Sequence, residues 1–80
     1  MIVVGDCLQL RDGAHDLNPW TFVVVGFEQH RGMSRALLVR LDGDLGPRRR
    51  RIVEPHSLAW IEGDLRDHPL PPDVCAWSKL

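Results

Sequence analysis

The sequence predicts a small all-β domain, a five-stranded barrel, on three observations. Eighty residues leave room for one core only. The apolar residues fall in short runs rich in β-branched and aromatic side chains. These runs are separated by Gly, Pro, Asn and Asp, and no helical periodicity of useful length interrupts them.

The first strand is expected over Ile2 to Leu10, where Ile2, Val4, Leu8 and Leu10 share one parity and Gln9 and Arg11 the other. Asp12-Gly13 ends it, and Ala14 to Pro19 form a longer loop. Trp20 to Glu28 is the strongest strand, nearly continuous in hydrophobicity. The parity of Phe27 with Val23 and Val25 places that set inward and leaves Phe22 and Val24 facing out. A turn at His30-Arg31-Gly32-Met33 leads into a third strand, Arg35 to Leu41, with Leu37, Val39 and Leu41 on one face and Ala36, Leu38 and Arg40 on the other. Asp42 to Pro47 is a concentrated turn signal. Arg48 to Val53 is the expected returning strand, with Arg48 and Arg49 at a hairpin tip and Ile52 or Val53 reaching the core. Glu54 to Ser57 allow one helical turn before a short last strand, Leu58 to Ile61. Pro69, Pro71 and Pro72 then preclude a helix or a central strand. The expected division is therefore a barrel over residues 1–64 and an extended tail over 65–80, with Leu70, Val74, Trp77 and Leu80 able to lie across Phe22, Val24 and Leu38.

Five short strands, a long first loop, two tight hairpins and a helical turn before the last strand, opening on Val4-Gly5-Asp6-Cys7-Leu8-Gln9-Leu10, form an order that resembles the SH3-like barrels of the KOW and Tudor type. The resemblance spans about residues 2–62 and implies a fold. The chain has no tyrosine and no evident aromatic cage of the kind that methyl-lysine readers carry, and it lacks the basic-Gly start of a KOW motif.

Net charge is −1, but it is unevenly placed. Residues 1–30 carry Arg11 against four acids, a net of −3, and residues 52–80 also sum to −3. Between them, Arg31, Arg35, Arg40, Arg48, Arg49, Arg50 and Arg51 face only Asp42 and Asp44, a net of +5. Guanidinium forks match phosphate oxygens, so this segment is the candidate contact for DNA or RNA. The competing reading is a solvated hairpin whose arginines pair with nearby carboxylates.

A second candidate is a surface for a partner protein or for self-association, built from Trp20, Phe22, Val24, Leu38 and Trp77, more apolar surface than so small a barrel needs to expose. The stretch Arg66 to Pro72 has the spacing of a polyproline ligand, but a tail docked on its own barrel explains it more economically. Cys7 and Cys75 stand near opposite ends and are expected as thiols. His15, His30, His56 and His68 show no spacing typical of metal ligands, so neither metal nor cofactor is expected. With no phosphate loop, nucleophile elbow or acid–base pair in evidence, the chain reads as a non-enzymatic module. No run of eighteen apolar residues and no signal-like N-terminus is present, which reads as cytoplasmic and away from membranes.

Overall fold

A computed structural model describes residues 1–12, 20–42, 51–71 and 74–80. The chain forms β1 (Cys7–Asp12), β2 (Trp20–His30), β3 (Met33–Arg40), β4 (Val53–Ser57), α1 (Leu58–Arg66) and β5 (Cys75–Lys79). All five strands belong to one antiparallel sheet in the order β4-β3-β2-β1-β5. Among the described residues no ladder joins β4 to β5, so the sheet is open. No described helix is long and apolar enough to cross a membrane.

The β2–β3 hairpin turns on Arg31 and Gly32, both at positive φ (52° and 76°), the backbone that matches the right-handed twist of the flanking strands. Its register then pairs His30 with Met33 and Glu28 with Arg35. A bulge between Val24 and Gly26 inserts Val25 and switches the parity of β2. Phe22 and Val24, ahead of the bulge, point into the core, Val25 is exposed, and Phe27, brought opposite the buried Ala36 by the bulge, still retains 43% of its surface. This corrects the expected inward set of Val23, Val25 and Phe27. Ala36 and Leu38 of β3 pack on the same inner side.

The chain start departs from the expected strand. Val3 N–H donates to Asp6 Oδ2 (2.9 Å), and Gly5 at φ 97° lets the backbone turn so that Gly5 N–H reaches Val24 O (2.8 Å). Ile2 thereby enters the core and Val4 faces solvent, which an uninterrupted alternation cannot achieve. The Val3 amide, followed by the Lys79 ammonium at 3.3 Å, holds the Asp6 carboxyl below its ordinary value.

Downstream of residue 50 the expected elements shift. Ile52 (76% exposed) and Val53 lie outside the core, and β4 occupies the stretch expected as a helical turn. Pro55 is tolerated there because β4 is an edge strand. The expected last strand over 58–61 is the first turn of α1. Ser57 caps it by accepting the Trp60 N–H (3.3 Å), and Leu58, Ile61 and Leu65 recur at helical spacing on the core side. Asp67 N–H donates to Gly63 O at the far end, and Pro69 follows two residues later.

Residues 65–80 complete α1 and supply β5, so the expected tail is part of the sheet. β5 pairs with β1 (Leu10 opposite Trp77), and the Arg11 guanidinium ties down the connection through Pro71 O (2.8 Å) and Val74 O (3.3 Å). Cys75 pairs with Asp12 at one end of β1, whereas Cys7 lies at the other. Five strand steps separate them by about 17 Å, beyond disulfide reach, and no disulfide joins them.

Trp77 is the centre of the core. It is fully buried, with ring centroids 5.3 Å from Phe22, 5.1 Å from His56 and 5.6 Å from Trp60. His56 belongs to one edge strand and Trp77 to the other, so their contact shows a sheet curled until its two edges meet through side chains. Helix α1 lies across this opening. Its Ile61 is buried beneath it, and Asp64 accepts the Trp77 backbone N–H (2.9 Å), satisfying an outward donor of the β5 edge.

Replacing Trp77 with Ala should cost about 3–5 kcal/mol, much of the stability of a domain this small. Trp60→Ala, at a half-exposed site, should cost clearly less; urea midpoints compare the two. A second expectation concerns His56, whose burial between rings lowers its pKa from the usual 6.5, against a smaller raising effect of Glu54. The unfolded chain therefore protonates first. Stability is full above about pH 6.5 and falls as the pH drops from there through the lowered folded value. Urea midpoints should decline across that window, and His56→Phe should flatten the decline.

Candidate nucleic-acid interface

Antiparallel pairing gathers one set of strand termini at one end of the sheet: the end of β1, the start of β2, the end of β3 and the starts of β4 and β5. Trp20, Arg40, Asp42 and Arg51 lie there. Residues 13–19 and 43–50 connect strands at this same end, and Arg48, Arg49 and Arg50 fall within the second stretch, outside the described residues.

Strand register creates the central contact. Phe22 pairs with Arg40, so Trp20, two residues earlier on the same face, is the diagonal neighbour of Arg40. The Arg40 guanidinium carbon sits 4.7 Å from the Trp20 ring centroid, a cation–π arrangement, and 47% of the Trp20 surface stays open. Asp42 is anchored by the Thr21 N–H, 3.3 Å from each carboxylate oxygen, and Leu41 N–H donates to Thr21 O (2.8 Å). Arg51 reaches across from the start of the next segment, its Nη1 donating to Arg40 O (3.0 Å) and Asp42 O (3.3 Å). Its side chain thus holds together the two ends of the connection that carries Arg48 to Arg50. Among the described residues no carboxylate lies within ion-pair distance of Arg40 or Arg51.

The remaining arginines stand elsewhere. Arg31 is exposed in the β2–β3 turn at the opposite end, separated by the length of β2, about 30 Å. Arg35 is ion-paired across the hairpin with Glu28, and its Nε is buried without a hydrogen-bond partner among the described residues. The expected single basic face is therefore divided. Arg40 and Arg51 share a site with Trp20, Arg35 is neutralised, and Arg31 is remote.

The apolar set proposed for a partner protein is also corrected. Phe22, Val24, Leu38 and Trp77 are buried, because they form the inner face of the curled sheet and pack on one another. Of that set only Trp20 is accessible. Elsewhere, a shallow cleft of about 380 Å³ runs between the β2–β3 turn and the start of α1, lined by Met33, Leu58 and Ala59 with Glu62 as its one titratable side chain. That lining offers no acid–base pair. No three His, Cys, Asp or Glu side chains among the described residues gather to hold a metal ion.

Sequence reasoning singled out Trp20, Arg40 and Arg51 separately but missed their association and the part of Asp42. The register of β2 on β3 carries that information, and it depends on the position of the bulge. No family model, curated protein or solved structure matches this chain.

Proposed function

We propose that this chain is a non-enzymatic binding module, built on the plan of an SH3-like barrel, that contacts nucleic acid through the strand end carrying Trp20, Arg40 and Arg51 together with Arg48, Arg49 and Arg50. The barrel part of this reading is supported by five strands along the chain with a helical segment before the last of them, the succession on which the resemblance rests, in one antiparallel sheet whose edge strands meet through His56 and Trp77. The observation that carries the nucleic-acid part is a pair of guanidiniums, with no ion-pair partner among the described residues, beside an exposed indole. Arg51 anchors that site to the next three arginines along the chain. Clustered guanidiniums near phosphates release condensed counterions and form forked hydrogen bonds, while an aromatic face serves the bases. An overall charge of −1 restricts such binding to this local site.

Replacing Arg48 to Arg51 together with serine should weaken binding of short DNA or RNA oligonucleotides at low salt about tenfold or more, and should reduce the slope of log affinity against log salt by about 3 units. Arg31→Ala and Arg35→Ala should change affinity less than about twofold, since one guanidinium is remote and the other is paired. Fluorescence anisotropy reads all three. Unchanged binding in the fourfold variant, or no binding by the parent chain, contradicts the proposal.

A further inference from the structure

Trp20 is an exposed tryptophan with an organised polar and cationic setting. It opens β2, its ring lies under the Arg40 guanidinium at 4.7 Å, and Arg40 is in turn fixed from behind by Arg51 through its backbone carbonyl. Thr21, Leu41 and Asp42 lock the backbone on both strands at this point. A flat aromatic surface held this way is preorganised for stacking, and little rotamer freedom remains to be lost on binding.

We infer that the site takes single-stranded nucleic acid, with an unpaired base stacked on Trp20 and the flanking phosphates held by Arg40 and Arg51. This rests on the nucleic-acid reading given above and adds the form of the ligand. A base inside a duplex is already stacked on both faces and offers only its groove edges, whereas an unpaired base presents its π-face to an indole.

The rest of the fold points the same way. The nine-residue α1 carries Glu62 and Asp64 against Arg66, and its Ile61, Asp64 and Trp60 are engaged with the core and β5. An acidic, packed helix of this kind is not suited to a major groove. Arg31, which would widen a duplex footprint, stands at the far end of β2. Stacking and phosphate contacts are common to DNA and RNA strands, so the shared chemistry is an unpaired base between phosphates.

The test is anisotropy of a short labelled strand, prepared as DNA and as RNA, compared with its duplex and with an abasic strand of equal length. Trp20→Ala and Trp20→Phe are measured beside the parent chain. The expected result is that at least one of the two strands binds about tenfold more tightly than duplex or abasic strand. Trp20→Ala should reduce that binding to the abasic level, and Trp20→Phe should retain most of it. Should Trp20→Ala fail to fold by its urea transition, the parent chain's preference over the abasic strand and the Trp20→Phe variant decide the matter. Equal binding of normal and abasic strands, or tighter binding of the duplex, overturns the inference while leaving the arginine contact in place. Absence of binding to every probe at low salt overturns both.

Discussion

The structure depends on the burial of Trp77. Its ring touches Phe22 from the middle of the sheet, His56 from one edge strand and Trp60 from the helix, while its own strand forms the other edge. An open antiparallel sheet of five strands has two unpaired edges and one inner face to cover. A large aromatic group placed on β5 fills the space that curling creates and draws the β4 edge towards it. Helix α1 then covers the gap, with Asp64 accepting the Trp77 amide. The indole Nε1 and the His56 Nε2 are buried without hydrogen-bond partners among the described residues, so the apolar contacts here outweigh a polar cost of about 1–3 kcal/mol for each unpartnered atom.

This arrangement separates the packed interior from the proposed binding end along the strands. The closing aromatic cluster occupies the interior and the helix side, and the accessible arginines and Trp20 occupy one end. The end carrying Trp20 is where one terminus of each of the five strands lies, and the sheet supplies rigid positions for side chains there. Arg40 belongs to a strand and Arg51 fastens the connection beside it, so both are placed by the sheet. The opposite end carries the tight Arg31-Gly32 turn and the start of α1.

Much of the sheet was legible in the sequence. The strand character of Trp20 to Glu28 follows from β-branched and aromatic content, that of Arg35 to Leu41 from alternation, and the hairpin between them from its Gly-containing turn. The faces were not legible: alternation groups residues by side without saying which side is the core, which is how Phe22, Val24 and Leu38 turn out to face inward, and the residue inserted at Val25 moves Phe27 to their side. Helix α1 was missed since Leu58 to Ile61 is a short apolar run, which length alone assigns to a strand; the Ser57 cap and the Leu58, Ile61, Leu65 spacing are the signals that identify it. The prolines at 69, 71 and 72 hide β5 from a reading of the sequence: they exclude a central strand where they stand, and Cys75 begins beyond them. At the candidate site, residue types were readable and their neighbours were not. The pairing of Trp20 with Arg40 is non-local, and so is the ion pair that neutralises Arg35.

The central claim is that the last strand is structural core, bringing the two edges of the open sheet together through the Trp77 side chain. Native-state hydrogen exchange of the full chain tests it most directly, because a core strand and a docked tail open with different free energies. The account expects the Trp77 amide, bonded to Asp64, to exchange only through global unfolding, with the same opening free energy as the Val24 and Leu38 amides. Exchange of Trp77 by local fraying, while Val24 and Leu38 stay protected, would contradict it.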